Sequence, residues 1–133
     1  MSEKISDYKD FVDYLTSDPS KNFDAYIESL TVLRDAGCDI ARLDTAATGM
    51  CSEAGEIMEV VKKLKFQGKV WNDDERYHLK REAGDLLFYW MNACIALGHD
   101  PFEIIDENIS KLEKRYPNGF DAFRSENRAP QDI

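Results

Sequence analysis

The chain has 133 residues, a net charge of −9, 43% hydrophobic and 32% charged residues, and only seven Gly and four Pro. That length suits one domain with a real core better than two, and the balance excludes a disordered chain. So acidic a chain repels a DNA or RNA backbone, so no nucleic-acid polymer is expected as partner. A small phosphorylated ligand stays open, because a bound divalent ion reverses the local sign.

No stretch approaches the roughly 18 consecutive apolar residues that a membrane span needs, so no membrane is expected either. The opening MSEKISDYKD is polar and acidic, unlike a signal peptide. Cys38, Cys51 and Cys94 form no CxxC and read as reduced thiols, with Cys94 inside a helix. The expected location is the cytoplasm.

Taken in order, the elements are helical. Tyr8, Phe11, Val12 and Leu15 recur at helical spacing until TSDPS breaks the chain. A second helix is expected over 23–36, with Gly37 at its C-terminal end. Asp39 stands where it would cap a long helix from about Ile40 to Lys65. Asn72, three before Glu75, would open a helix over 73–97 that Gly98 ends. Asp100-Pro101 with Glu103 supplies a cap, a first-position proline and a first-turn acid for a helix to about Tyr116. The tail holds at most one further turn. Strand signals are weak, so the fold class is all-α, a bundle of about four main helices. The expected organisation is one domain over 1–133, with a core of about 40–120, an N-terminal helical extension over 1–38 and a tail over 121–133.

Two segments rhyme: CSEAGEIMEV at 51–60 and KREAGDLLFYW at 80–90. With roughly 100° of turn per residue, Leu64, Ala46, Ile57, Val60 and Met50 fall within about 60° of Glu53. Glu53 therefore lies in the middle of an apolar stripe, and Glu56 on its rim. Glu82 is flanked in the same way by Ala93, Leu86, Tyr89, Leu79 and Leu97, with Asp85 on the rim. A lone E-x-x-E usually marks a solvated face. Two copies centred on apolar stripes are costly without a compensating cation, and neither stripe offers Lys or Arg at its centre. Four carboxylates form an oxygen-only donor set suited to Mg²⁺ or Mn²⁺. A di-iron pair would want Glu-x-x-His, a spacing absent here, and zinc would want His or Cys ligands, so both are disfavoured. On the helix from Pro101, Ile105, Ile109, Leu112 and Tyr116 are expected to face the core, with Asn108, Lys111 and Arg115 along its edge. The last two could meet phosphate oxygens, or simply favour the C-terminal end of the helix dipole.

EAGE at 53–56, EAGD at 82–85, GDLLFYW and NISKLEKRYPNGF together resemble the MazG-type all-α nucleoside triphosphate pyrophosphohydrolases, a family related to dimeric dUTPases and dCTP pyrophosphatases. The similarity covers about residues 40–120. It implies Mg²⁺-dependent hydrolysis of a (d)NTP to (d)NMP and pyrophosphate, in a homodimer or homotetramer. It implies metal ligation by Glu53, Glu56, Glu82 and Asp85, with Glu53 or Glu56 acting on the water. Tyr89, Asn108, Lys111 and Arg115 would bind substrate. Ser52 stands where many members carry a further Glu, so no fifth carboxylate is implied. Trp71 reads as an anchor of its loop rather than a base-stacking group. Rival readings are a non-catalytic dimeric helical interaction module and a hydrolase of other phosphorylated nucleotides such as alarmones.

Overall fold

The computed structural model describes residues 3–132, and among them there are six α-helices and no strand. The chain is all-α, as its periodicity predicts. It divides into two compact units, Met1–Ala41 and Arg42–Ile133.

In the first unit α1 spans Glu3–Leu15, and the TSDPS break becomes a 3-10 turn at Asp18–Ser20 with proline in its first turn. The Lys21 ammonium donates to the Asp13 carbonyl at 2.7 Å and ties this turn back to α1. Helix α2 spans Phe23–Asp35, and the Asn22 side chain accepts the Ala25 N–H at its start. Its end shows why Gly37 is there. The Gly37 N–H bonds to the Arg34 carbonyl and the Cys38 N–H to the Leu33 carbonyl, a closure that requires the left-handed φ of +90° found at Gly37.

The second unit is built on two long helices, α3 (Ile40–Phe66), which begins just before the unit boundary, and α4 (Asp73–Leu97). The Asn72 side chain accepts the Glu75 N–H at 3.0 Å, so α4 starts where its cap residue dictates. Gly98, at φ +70°, closes it. Arg42 donates to Asn92 at 3.1 Å, and Gly49 abuts Tyr89. The contacts run in opposite chain directions, so α3 and α4 are antiparallel. Lys69 pairs with Glu75 at 2.8 Å across their connection. Helix α5 (Pro101–Arg115) opens on a complete capping box. Asp100 accepts the Phe102 N–H at 2.8 Å, and the Glu103 carboxylate accepts the Asp100 N–H at 3.2 Å. It returns against α4. The short α6 (Ala122–Glu126), capped by Asp121, is the single turn expected of the tail.

The apolar residues buried within the described chain are Ala46, Val60 and Cys94, all between α3 and the far end of α4 in sequence. Ile105, Ile109 and Leu112, expected to face the core, are exposed instead. An amphipathic stripe fixes which residues share a side of a helix; whether that side is covered depends on a second element lying across it.

Candidate metal centre

The rhyming segments lie on the two antiparallel helices, one on α3 and one on α4. Helical periodicity turns Glu53 toward α4, while Glu82 and Asp85, one turn apart, answer from the other helix. Glu53, Glu82 and Asp85 each bring one carboxylate oxygen to within 4.8 Å of the others. Glu53 and Glu82 are half-buried and Asp85 is exposed. Glu56, one turn beyond Glu53, is exposed and stands outside this group.

The electrostatics around Glu53 are one-sided. Burial pushes the Glu53 carboxyl above its ordinary value, and the charges of Asp85 and Glu82, a hydrogen bond with Glu82 and the charge of Glu56 push it further the same way. Each of those neighbours is an acid. An oxygen-only donor set held together against its own repulsion is what a hard divalent cation would relieve. The residues present fit Mg²⁺ or Mn²⁺.

The residues expected to bind substrate are distributed differently. Tyr89, one turn past Asp85, is half-buried with its ring over Gly49 and edge-on to Phe88 at 5.2 Å. A Cβ built on Gly49 would come within 2.1–2.3 Å of that ring, so this glycine makes room for the tyrosine. On α5, Lys111 and Arg115 line a cavity of about 590 Å³ with α6 and the C-terminal segment. Asn108 is exposed and does not line it. The cavity and the acidic group share no residue.

A family model for the MazG nucleotide pyrophosphohydrolase domain matches residues 42–120, more than half of the chain. The chain belongs to the MazG family. No curated protein and no solved structure gives a significant match. The MazG match begins where the second compact unit begins, and both acidic pairs fall inside it. Membership supports pyrophosphohydrolase activity on nucleotides in general and a dependence on metal, for which the acidic group of this MazG domain is the fitting place. Among the described residues no helix is long and apolar enough to cross a membrane.

Two partners at or near these residues escaped the sequence reading. His78 Nε2 lies 3.0 Å from Glu82 Oε1, four residues earlier on the same face of α4. Its spacing to Glu82 was the available signal. Asp132 grips Arg115 with both carboxylate oxygens, across seventeen positions and with no periodic signal to announce it. Trp71 is exposed, with the Arg76 guanidinium over its ring at 5.6 Å, so a surface cation rather than burial holds it.

Proposed function

We propose that this MazG domain is a divalent-metal-dependent pyrophosphohydrolase of nucleoside triphosphates, converting a (d)NTP and water to (d)NMP and pyrophosphate. The observation that carries this reading is the convergence of Glu53, Glu82 and Asp85 from two helices within 4.8 Å. Mg²⁺ is the preferred cofactor, with Mn²⁺ as substitute. Bound there, it would neutralise triphosphate oxygens and acidify a water.

The chain's own residues have distinct tasks. Glu53, Glu82 and Asp85 supply metal oxygens. Glu56 contributes charge to the site while remaining outside the close group, so its carboxylate is free to orient the attacking water and accept its proton. The water oxygen joins one phosphorus of the α–β linkage, and the bridging oxygen leaves with the other. Lys111 and Arg115 stabilise charge on the pyrophosphate half of the substrate as the linkage breaks. Tyr89 and Asn108 contact the nucleoside. The active form is a homodimer or homotetramer. The apolar side chains exposed at Leu87, Met91 and Ile95, four residues apart on α4, support that assembly. The free cysteines fit a cytoplasmic setting.

The test is pyrophosphate release from a panel of (d)NTPs with Mg²⁺, Mn²⁺ or EDTA, for the native chain and Glu53→Gln. Metal-dependent release that Glu53→Gln loses is expected. No release from any canonical or modified nucleotide, together with no effect of metal on melting, would sink the enzyme reading in favour of a helical interaction module.

A further inference from the structure

Part of the charge on this molecule is gathered by residues that the family match does not reach. The cavity between α5, α6 and the C-terminal segment, about 590 Å³, is of the size that holds a small ligand. Five of the chain's seventeen Lys and Arg line it: Lys111, Lys114 and Arg115 from α5, Arg124 from α6, and Arg128 just after it. Two acids, Glu107 and Asp132, line it as well, which leaves the cavity net cationic in a chain of net charge −9. Arg124, Arg128 and Asp132 all lie beyond residue 120, where the match ends.

Cations held this close repel one another unless an anion stands among them. One anion is already there. Asp132 accepts hydrogen bonds from Nε and Nη2 of Arg115, one on each oxygen, the two-point geometry by which a guanidinium recognises carboxylate or phosphate. Both side chains are largely buried, at 12% and 15% exposure. Lys111 and Arg128 act on the same carboxylate and help Arg115 hold it ionised. After Asp132 and Glu107 are counted against the cations, positive charge remains to be met. A ligand carrying several negative charges on compact groups suits it. An extended polyanion does not, since it would have to approach a chain that repels it elsewhere.

We propose that this cavity is a site for small oligophosphates, in which Asp132 latches Arg115 as an internal stand-in that a bound phosphoryl group displaces. For Lys111 and Arg115 it rests on the pyrophosphate role given above. To that role it adds Lys114, Arg124 and Arg128 as phosphate contacts and the C-terminal segment as a latch.

The test is titration calorimetry of the full chain with inorganic pyrophosphate, at low ionic strength and in EDTA, so that neither metal nor hydrolysis contributes. The native chain is expected to bind. The Arg124→Ala/Arg128→Ala pair is expected to weaken binding by about tenfold or more, the scale of a lost charge-assisted contact. Asp132→Asn, which removes the charge and keeps the shape, is expected to tighten it by about tenfold through release of Arg115. Truncation after Pro130 keeps all five cations and should act in the same direction, which guards against a misfolded substitution. Unchanged or weaker binding by both Asp132→Asn and the truncated chain would overturn the latch. No pyrophosphate binding by the native chain or by Asp132→Asn, or binding indifferent to the Arg124/Arg128 pair, would overturn the site. Either failure with metal-dependent (d)NTP hydrolysis intact leaves the pyrophosphohydrolase reading standing. Pyrophosphate binding without hydrolysis would do the reverse.

Discussion

Glu53 sits where an apolar stripe and three other carboxylates meet, and its proton equilibrium reports that conflict. Its pKa in the folded chain lies above the ordinary 4.5, first through burial and then through Asp85 and Glu82. Between those two values the folded chain keeps a proton that the unfolded chain has lost, so stability falls as pH climbs through that window. Above the window the folded state carries the full repulsion. Glu53→Gln removes the charge and nearly keeps the shape. In EDTA at pH 7 it should melt above the native chain, and the difference should vanish as pH drops below 4.5. Added Mg²⁺ should raise the native melting temperature and shift the variant less, because a ligand stabilises only the state that binds it. A variant that melts lower than the native chain in EDTA at pH 7 would show that Glu53 is a stabilising member of the fold rather than a strained one. Its neighbour Glu56 lies one turn further along α3. The spacing places it on the rim of the stripe, and in the folded chain it is exposed and stands outside the close group.

At the scale of elements, the helix ends follow local chemistry. Asn72, Gly98, and Asp100 with Glu103 all act at the positions their side chains or backbone freedom suggest, because a cap bond spans two or three residues and needs nothing from the rest of the chain. The contact of α3 with α4 is another matter. Gly49 on α3 and Tyr89 on α4 fit each other so closely that a Cβ on the glycine would overlap the ring. Gly49→Ala should therefore destabilise the chain by about 1–3 kcal/mol, the usual penalty for overpacking, although alanine favours a helix over glycine. Chemical denaturation measures it. The effect should shrink in a Tyr89→Ala background, where the ring is gone, and two strictly additive losses would contradict the contact. This packing also occupies one face of Tyr89, a residue that the family resemblance implies in substrate binding.

Across the whole molecule, the described chain leaves much of its apolar surface uncovered. Phe11 and Leu15 on α1, Leu87, Met91 and Ile95 on α4, and Ile105, Ile109 and Leu112 on α5 are all exposed. Single exposed apolar residues are ordinary, but stripes at helical spacing point to surfaces that another body covers. Sedimentation velocity should accordingly find a dimer or tetramer of the 15.3 kDa chain. A folded monomer at micromolar concentration would refute the assembly and leave those stripes without an occupant. The net charge of −9 opposes such assembly, so the oligomer should be firmer in moderate salt than in its absence.

By itself the sequence determined the all-α class, the span of each long helix to within a residue or two, and the placement of both acidic pairs on apolar stripes. Those properties rest on periodicity and on bonds between near neighbours, which the order of residues fixes directly. The tertiary structure alone decided that Glu53 meets Glu82 and Asp85 without Glu56, that Tyr89 seats on Gly49, and that Asp132 takes hold of Arg115. Each of these depends on how one helix is rotated and shifted against another, or on where a chain segment returns. Such relations arise from the packing of many side chains at once, and no spacing along the chain encodes them one by one.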